Sequence, residues 1–201
     1  SPRTDVRTWN DMRDLRPLLD KLLPDLVDFR RDLHRHPECS YREERTAARV
    51  LERLKEIPDI ELRTGVAGTG IVATLAGDKA GPCVALRADM DALPIEEQSS
   101  VPHRSQVAGT MHACGHDGHT ACLLGAAQML AACVDELQGP VKFIFQPAEE
   151  GGAGGKRMCQ EGALDGPEVA AIFGLHGAPD MEVGEIFLRT GPVLALSLIH
   201  I

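Results

Sequence analysis

The sequence is poor in aromatic residues and in positive charge. Its 201 residues include one Trp, one Tyr and five Phe, so a hydrophobic core has to be built mainly from Leu, Ile, Val and Ala. The 21 Lys and Arg are outnumbered by 30 Asp and Glu, which gives a formal net charge of −9. Because nucleic-acid-binding domains normally carry a basic excess, this balance argues against a nucleic-acid partner.

Long apolar runs are missing as well. No segment reaches the length of a membrane span, and residues 1–16 are too highly charged for a signal peptide. We therefore expect no membrane association and a cytoplasmic location, in which the six cysteines stay reduced. The composition is 43% hydrophobic and 25% charged, which is typical of a globular fold.

Helical and extended patterns alternate along the chain. Residues 16–35 have leucines at helical spacing, with a break expected at Pro24. A second amphipathic helix ends near Pro58, and residues 118–133 predict a largely buried helix. Short apolar runs at 70–77, 82–87, 141–146 and 170–175 predict strands, and the turn residues at 77–81 predict a hairpin loop. This alternation predicts an α/β fold with helices on both faces of a sheet.

Polar side chains collect in four clusters, which we place just after the apolar runs. Ligand sites in such sheets gather where strands end, so we expect the clusters to meet at one edge. The clusters are Asp89 with Asp91, the stretch with His112, Cys114, His116 and His119, the pair Glu149 and Glu150, and His176.

The pair Cys114 and His116 offers a thiolate and an imidazole two residues apart. Gly115 between them lets the backbone turn tightly, and this ligand pair suits a cation such as zinc. An inert cysteine beside a helix-capping histidine fits the same residues. His112 and His119 flank the pair, and we expect them either to orient a ligand or to lie at the surface.

Glu149 and Glu150 follow a strand whose end is expected to be buried. Adjacent buried carboxylates repel unless cations offset them, and one can bind a metal while its neighbour serves as general base. A solvated acidic turn is the alternative. Asp89 and Asp91 alternate at a strand end, so one of them could orient a ligating histidine. His176 taken singly would be a buried histidine, but it belongs to the same set of clusters.

Two other hydrolytic chemistries find little support. The chain has no Gly-x-Ser-x-Gly motif, which argues against a serine hydrolase of that type. Cys114 could act as a covalent nucleophile, but the Glu149–Glu150 pair would then have no function.

Several motifs resemble one enzyme family. The sequences ALRADMDALP, HACGHDGH, QPAEEG and FGLHGAP occur in the expected order within residues 26–195. Together they resemble the amidohydrolase branch of the dinuclear metallopeptidases, which includes hippurate hydrolases, N-acyl-amino-acid deacylases and auxin-conjugate hydrolases. The resemblance implies part of a zinc-exopeptidase-like catalytic domain, with a central mixed sheet flanked by helices.

The resemblance also implies a chemistry and a set of roles. It implies two divalent metal ions, manganese or zinc, that serve hydrolysis of the amide bond of a small N-acyl amino acid. Glu149 would be the general base and Asp91 an acidic residue that supports the site. Residues 34–38 carry no ligand role and are interpreted as structural. A metallo-carboxypeptidase acting on dipeptides, and a metal-binding fragment without turnover, are the alternatives. The implied metal ligands are Cys114, His116, Glu150 and His176.

Complete members of that branch are nearly twice as long as this chain. They carry an inserted dimerisation or lid domain after the position of residues 191–195, followed by one more metal-binding histidine. We therefore interpret residues 1–195 as the N-terminal part of a catalytic domain and 196–201 as a divergent end, which excludes His200 as the missing ligand. We expect a homodimer only in a full-length form, and this chain alone to be inactive.

Overall fold

A mixed sheet of five strands organises the part of the chain that the structure describes. The computed structural model describes residues 13–188. The strands are β1 (Glu61–Val66), β2 (Gly70–Leu75), β3 (Cys83–Asp89), β4 (Val141–Gln146) and β5 (Val169–Gly174). The helices are α1 (Arg16–Arg35), α2 (Glu44–Leu54), α3 (His116–Ala131) and α4 (Gly154–Gln160), with a short 3-10 helix at Val134–Glu136. The predicted α/β class is confirmed.

The sheet has the strand order β1-β2-β4-β3-β5. β2 runs antiparallel to β1 and β4, whereas β3 runs parallel to β4 and β5. The predicted hairpin between β2 and β3 is therefore wrong, because β4 lies between them. β2 instead forms its hairpin with β1. β4 lies in the middle of the sheet and has a neighbouring strand on each side. All six of its residues are buried, as is typical of an apolar central strand.

Helix α1 continues through Pro24, where a break was predicted. Proline has no N–H group, so the carbonyl of Asp20 loses its usual partner at position 24. Both residues are exposed, and water can therefore bind that carbonyl. The buried side chains of Leu26, Phe29 and Leu33 hold the helix against the core after the proline, and the partly buried Leu22 packs against the same core before it. Packing therefore outweighs the local cost of the proline.

Helix α2 begins where Glu38 caps it. The Glu38 carboxylate accepts hydrogen bonds from the backbone N–H groups of Arg45 (3.0 Å) and Thr46 (2.7 Å). These N–H groups lie in the first turn, where no intrahelical partner exists. The contact agrees with the structural interpretation of residues 34–38.

Helices cover both faces of the sheet, as predicted. Phe143 and Phe145 of β4 belong to the larger core with α1, α2 and α3. Ile144, on the opposite face of the strand, belongs to a smaller core with Met158 of α4 and Ala163. None of the helices within residues 13–188 combines the length and apolarity needed to cross a membrane.

Strand β5 departs from the buried strand expected at residues 170–175. It forms an edge of the sheet, and Ile172 and Phe173 are 49% and 60% exposed. An apolar run in a sequence indicates a preference for burial, but it does not show whether another part of the chain covers the strand. The 191–195 segment, the divergent end at 196–201 and His200 lie outside the residues that the structure describes.

Candidate metal centre

The four polar clusters meet at one edge of the sheet, as predicted. Asp89, the last residue of β3, is paired with Gln146, the last residue of the parallel strand β4. Asp91 and Glu149 therefore leave the sheet in the same direction, and His176 follows the end of β5. The expectation that every cluster follows a strand is wrong for residues 112–119, which come from a long connection and open α3 instead.

Among the residues that the structure describes, potential metal-ligating atoms form three overlapping groups around His116. In each group the atoms lie within 4.8 Å of one another. All four residues that the resemblance implies as ligands are among them, together with Glu149. The groups are Cys114, His116 and His176; Asp89, His116 and His119; and His116, Glu149 and Glu150.

His116 is the most constrained of these residues. Its ring is 1% exposed, and Nδ1 lies 2.8 Å from the backbone oxygen of Asp91, so Nδ1 must donate there. In the neutral ring Nε2 is then an acceptor. Nε2 has no hydrogen-bond partner within the described residues and faces carboxylate oxygens of Asp89 (3.6 Å), Glu150 (3.7 Å) and Glu149 (4.0 Å). A buried lone pair surrounded by three carboxylates fits a bound cation.

The same surroundings shift the pKa of His116. Burial by itself lowers this pKa, but the hydrogen bond to Asp91 and the negative charge of Asp89 raise it overall. The acidic neighbours thus favour a positive charge at this position. A bound metal cation would supply that charge in place of a second proton.

Asp89 and Asp91 are buried and stay ionised. Burial raises the pKa of Asp89, but the hydrogen bond from His119 (2.7 Å) and the charge of Arg87 outweigh it and lower this pKa to about 2. Asp91 accepts the backbone N–H groups of Glu149 and Glu150 at 3.0 Å each, one on each carboxylate oxygen. Asp91 therefore fixes the start of the loop that carries both glutamates.

Glu149 and Glu150 are partly buried and close to the open side of the centre. Burial raises the pKa of Glu149, and the negative charges of Glu150 and Asp89 raise it further. A carboxylate with a raised pKa accepts a proton more readily than an ordinary glutamate. The geometry thus supplies a base beside the cluster of ligating atoms.

Cys114 and His176 complete the cluster on its outer side. Cys114 Sγ lies 3.4 Å from Nε2 of the exposed His176, and Gly115 adopts a left-handed φ of +85° at the start of α3. Burial and the charge of Glu150 raise the pKa of the Cys114 thiol to about 11. A protonated thiol is a poor nucleophile, which weakens the covalent alternative, whereas a bound cation would favour the thiolate.

The two flanking histidines are both buried, so their surface alternative is wrong. His119 is held by Asp89 at Nδ1 and by the N–H of Gly177, which donates to Nε2 at 3.0 Å. Its position three residues after His116, one helical turn on, is the sequence signal that could have placed it beside the centre. Both ring nitrogens of His112 lack a hydrogen-bond partner in the described part of the chain, and burial lowers its pKa to about 4.

The part of the chain that carries these clusters matches a known protein family. The model of peptidase family M20/M25/M40 matches residues 85–193, which include all of the clusters. The chain belongs to peptidase family M20/M25/M40. The family resemblance expected from the sequence motifs is thereby confirmed.

Related M20 proteins extend well beyond this chain. An N-acetyl-L-cysteine deacetylase of Bacillus subtilis is 48% identical over 88% of this chain and 42% of its own length. Thermostable carboxypeptidase 2 of Saccharolobus solfataricus is 46% identical over 85% of this chain and 43% of its own length. This M20 chain therefore spans less than half the length of these two relatives.

A solved M20 structure has the same fold. The YXEP protein of Bacillus subtilis, a dinuclear metal binding peptidase, aligns with a TM-score of 0.82 and 46% identity. The alignment covers 87% of this chain and 48% of that protein. The expected metallopeptidase-like catalytic fold is thus confirmed, over about half of the solved protein.

Proposed function

We propose that this M20 chain carries the metal centre of an amidohydrolase that cleaves the amide bond of N-acyl amino acids. The observation that carries the proposal is Nε2 of buried His116, which has no hydrogen-bond partner among residues 13–188, faces three carboxylates and lies in one group with Cys114 and His176. The similarity to an N-acetyl-L-cysteine deacetylase supports this class of substrate.

Cys114, His116, Glu150 and His176 would hold two divalent ions, manganese or zinc. The sulfur and imidazole ligands favour zinc, and availability can favour manganese. When bound, such ions polarise a carbonyl oxygen and lower the pKa of an attacking water molecule. The chain itself contributes the orientation of His116 through Asp91, which fixes the ring nitrogen that faces the acidic residues.

Glu149 would act as the general base. It would accept the proton of the attacking water and then donate that proton to the departing amine nitrogen. Its raised pKa supports this role, since the group must take up a proton and release it within one cycle. Asp91 would support the reaction indirectly, because it holds the backbone N–H of Glu149.

A carboxypeptidase acting on dipeptides is the second candidate. The similarity to a thermostable carboxypeptidase favours it, and the same residues would serve, since both substrates are linear amides. A metal-binding fragment without turnover is the third candidate.

A substrate comparison tests the proposal. The longest natural protein that contains this chain is assayed with N-acetyl amino acids, N-benzoyl amino acids and dipeptides, each with added manganese or zinc. We expect faster hydrolysis of the N-acyl amino acids. Faster hydrolysis of dipeptides favours the carboxypeptidase, and bound metal with no hydrolysis of any of these favours the fragment.

Two matched substitutions test the roles within the acidic pair. Glu149→Gln should keep the metal and lower kcat by about two to four orders of magnitude, the usual contribution of general acid–base catalysis. Glu150→Gln should instead lower the metal content. Loss of metal in Glu149→Gln with retention in Glu150→Gln would reverse the two roles.

A further inference from the structure

The connection between α1 and α2 lies against the loop that carries Glu149 and Glu150. Within it, the hydroxyl of Ser40 donates a hydrogen bond of 2.6 Å to Oδ2 of Asp91. That same oxygen accepts the backbone N–H of Glu150, and the other oxygen accepts the N–H of Glu149. Asp91 therefore joins Ser40 to the backbone of both glutamates.

The same connection holds this loop at a second point. Glu43 is fully buried, and its Oε1 accepts the N–H of Ala148 at 2.9 Å and that of Tyr41 at 3.0 Å. Its Oε2 accepts the hydroxyl of Thr69 at 2.7 Å. Each carboxylate oxygen thus has a donor, which this buried group needs.

Ala148, which Glu43 holds, has an unusual backbone conformation. Its φ is +52°, in the left-handed region that residues with a Cβ rarely adopt. Such a conformation costs free energy and persists only where the surroundings fix it. Because Ala148 directly precedes Glu149, the direction in which the proposed base leaves the sheet depends on these contacts.

We propose that Ser40 is a positioning residue for amide hydrolysis, acting through Asp91 on the loop with Glu149 and Glu150. This inference rests on the proposed function. Asp91 is 1% exposed, so little water can replace a lost donor, and the carboxylate would turn toward its remaining partners. Those partners are the two glutamate N–H groups and His116, whose Nδ1 lies 3.3 Å from Oδ1. Ser40 thereby fixes the proposed base and a proposed ligand together.

Three substitutions separate positioning from simple stabilisation. Ser40→Ala removes the hydroxyl and Ser40→Thr keeps it. Ser99→Ala is the matched control, because the Ser99 hydroxyl donates a similar hydrogen bond of 2.5 Å to Glu97, outside the described cluster of ligating atoms. In the longest natural protein that contains this chain, Ser40→Ala should lower kcat about ten-fold with little change in KM, the usual effect of losing an outer partner of a metal site.

The conservative variant and the control complete the expected pattern. Ser40→Thr should restore most of kcat, Ser99→Ala should leave it unchanged, and all three variants should melt within a few degrees of the parent. A Ser40→Ala enzyme with parental kcat would overturn the proposal. So would a Ser40→Thr enzyme as slow as Ser40→Ala, or a kcat loss that merely follows a lower melting temperature.

Amide hydrogen exchange provides a readout that needs no turnover. Measured by NMR, the N–H groups of Glu149 and Glu150 should lose protection in Ser40→Ala and keep it in Ser40→Thr and Ser99→Ala. If the parent protein hydrolyses no amide, the proposed function fails, and exchange alone decides whether Ser40 holds the loop. Unchanged protection of both amides in Ser40→Ala would show that Ser40 does not position this loop, even in an active enzyme.

Discussion

Replacing His34 with leucine would leave a buried carboxylate with fewer partners at the junction of α1 and α3. His34 Nδ1 lies 2.9 Å from Oδ2 of Asp117, and Arg30 Nε lies 3.2 Å from the same oxygen. Asp117 is 1% exposed, whereas Arg30 is exposed and can swing into solvent. On its other side His34 Nε2 lies 3.3 Å from Glu97. We therefore expect His34→Leu to destabilise the fold.

The size of the effect follows from the pKa of Asp117. Burial raises this pKa, but the hydrogen bond from His34 and the charges of His112 and Arg30 outweigh it and lower the pKa from 3.8 to about 2. That difference corresponds to at most about 2 kcal/mol of stabilisation near pH 5.5, because His112, whose own pKa is about 4, is largely uncharged there. Removing one partner of a buried ion pair costs about 3–5 kcal/mol. We expect a loss of about 3 kcal/mol in the free energy of unfolding, near the lower end of that range because Arg30 remains.

The loss should depend on pH in a defined direction. The pKa of Asp117 is lowered, so its stabilisation is present above about pH 4 and is lost as the pH falls toward 2. The pKa of His34 is raised, chiefly by the hydrogen bond to Asp117, so its stabilisation is complete below about pH 6.5 and is lost as the pH rises through the raised value. The cost of His34→Leu should therefore be greatest between about pH 4 and 6.5.

Urea unfolding followed by circular dichroism at pH 3, 5.5 and 9 measures this profile. His36→Leu is the control, because His36 is about one-third exposed and its contact with Asp32 is on the helix surface, where ion pairs contribute at most about 1 kcal/mol. The double variant His34→Leu/Asp117→Leu should recover part of the lost stability. A loss that is the same at all three pH values, or below about 1 kcal/mol at pH 5.5, would refute the reasoning.

Three further outcomes follow from the site and the fold. Elemental analysis should find less bound zinc or manganese in Cys114→Ala and His116→Ala than in the parent, and equal metal content in both variants would contradict the proposed ligand set. Gly154→Ala should cost about 1–3 kcal/mol in urea unfolding, because a Cβ there would lie 1.8 Å from a carbonyl oxygen of the preceding loop. Gly118→Ala is its control, with the nearest atom at 3.5 Å, and an equal cost in both would contradict the steric argument. The 201-residue chain alone should self-associate through the exposed edge at β5, and Phe173→Lys should shift it toward monomer in size-exclusion chromatography.

The elements with strong local patterns could be predicted from the sequence. Helices α2 and α3 and strand β4 follow from apolar spacing within each segment. Strand β1 was missed because its residues are mostly exposed and show no apolar alternation. The β2–β3 hairpin was wrong because pairing depends on β4, which enters the sheet much later in the chain.

The candidate site also has a part that could be predicted from the sequence and a part that could not. The sequence singled out the proposed ligands as clusters, since each cluster is local and chemically unusual. The contacts of Ser40 with Asp91 and of His119 with Asp89 join residues 51 and 30 positions apart, and no local pattern reports them. The geometry brings these residues together, and their ligand and base roles stay predictions.

The proposed ligands differ in how firmly the chain holds them. His116 is buried and fixed by Asp91, which is itself held by Ser40 and by two backbone N–H groups. His176 is exposed and follows the edge strand β5, and its Nε2 contacts only Cys114 Sγ within the described hydrogen bonds. Metal sites need ligands held in place before the ion arrives, and buried, hydrogen-bonded side chains meet that need better than exposed ones. The chain therefore holds the part of the centre where β3, β4 and α3 meet more firmly than the part on the β5 side.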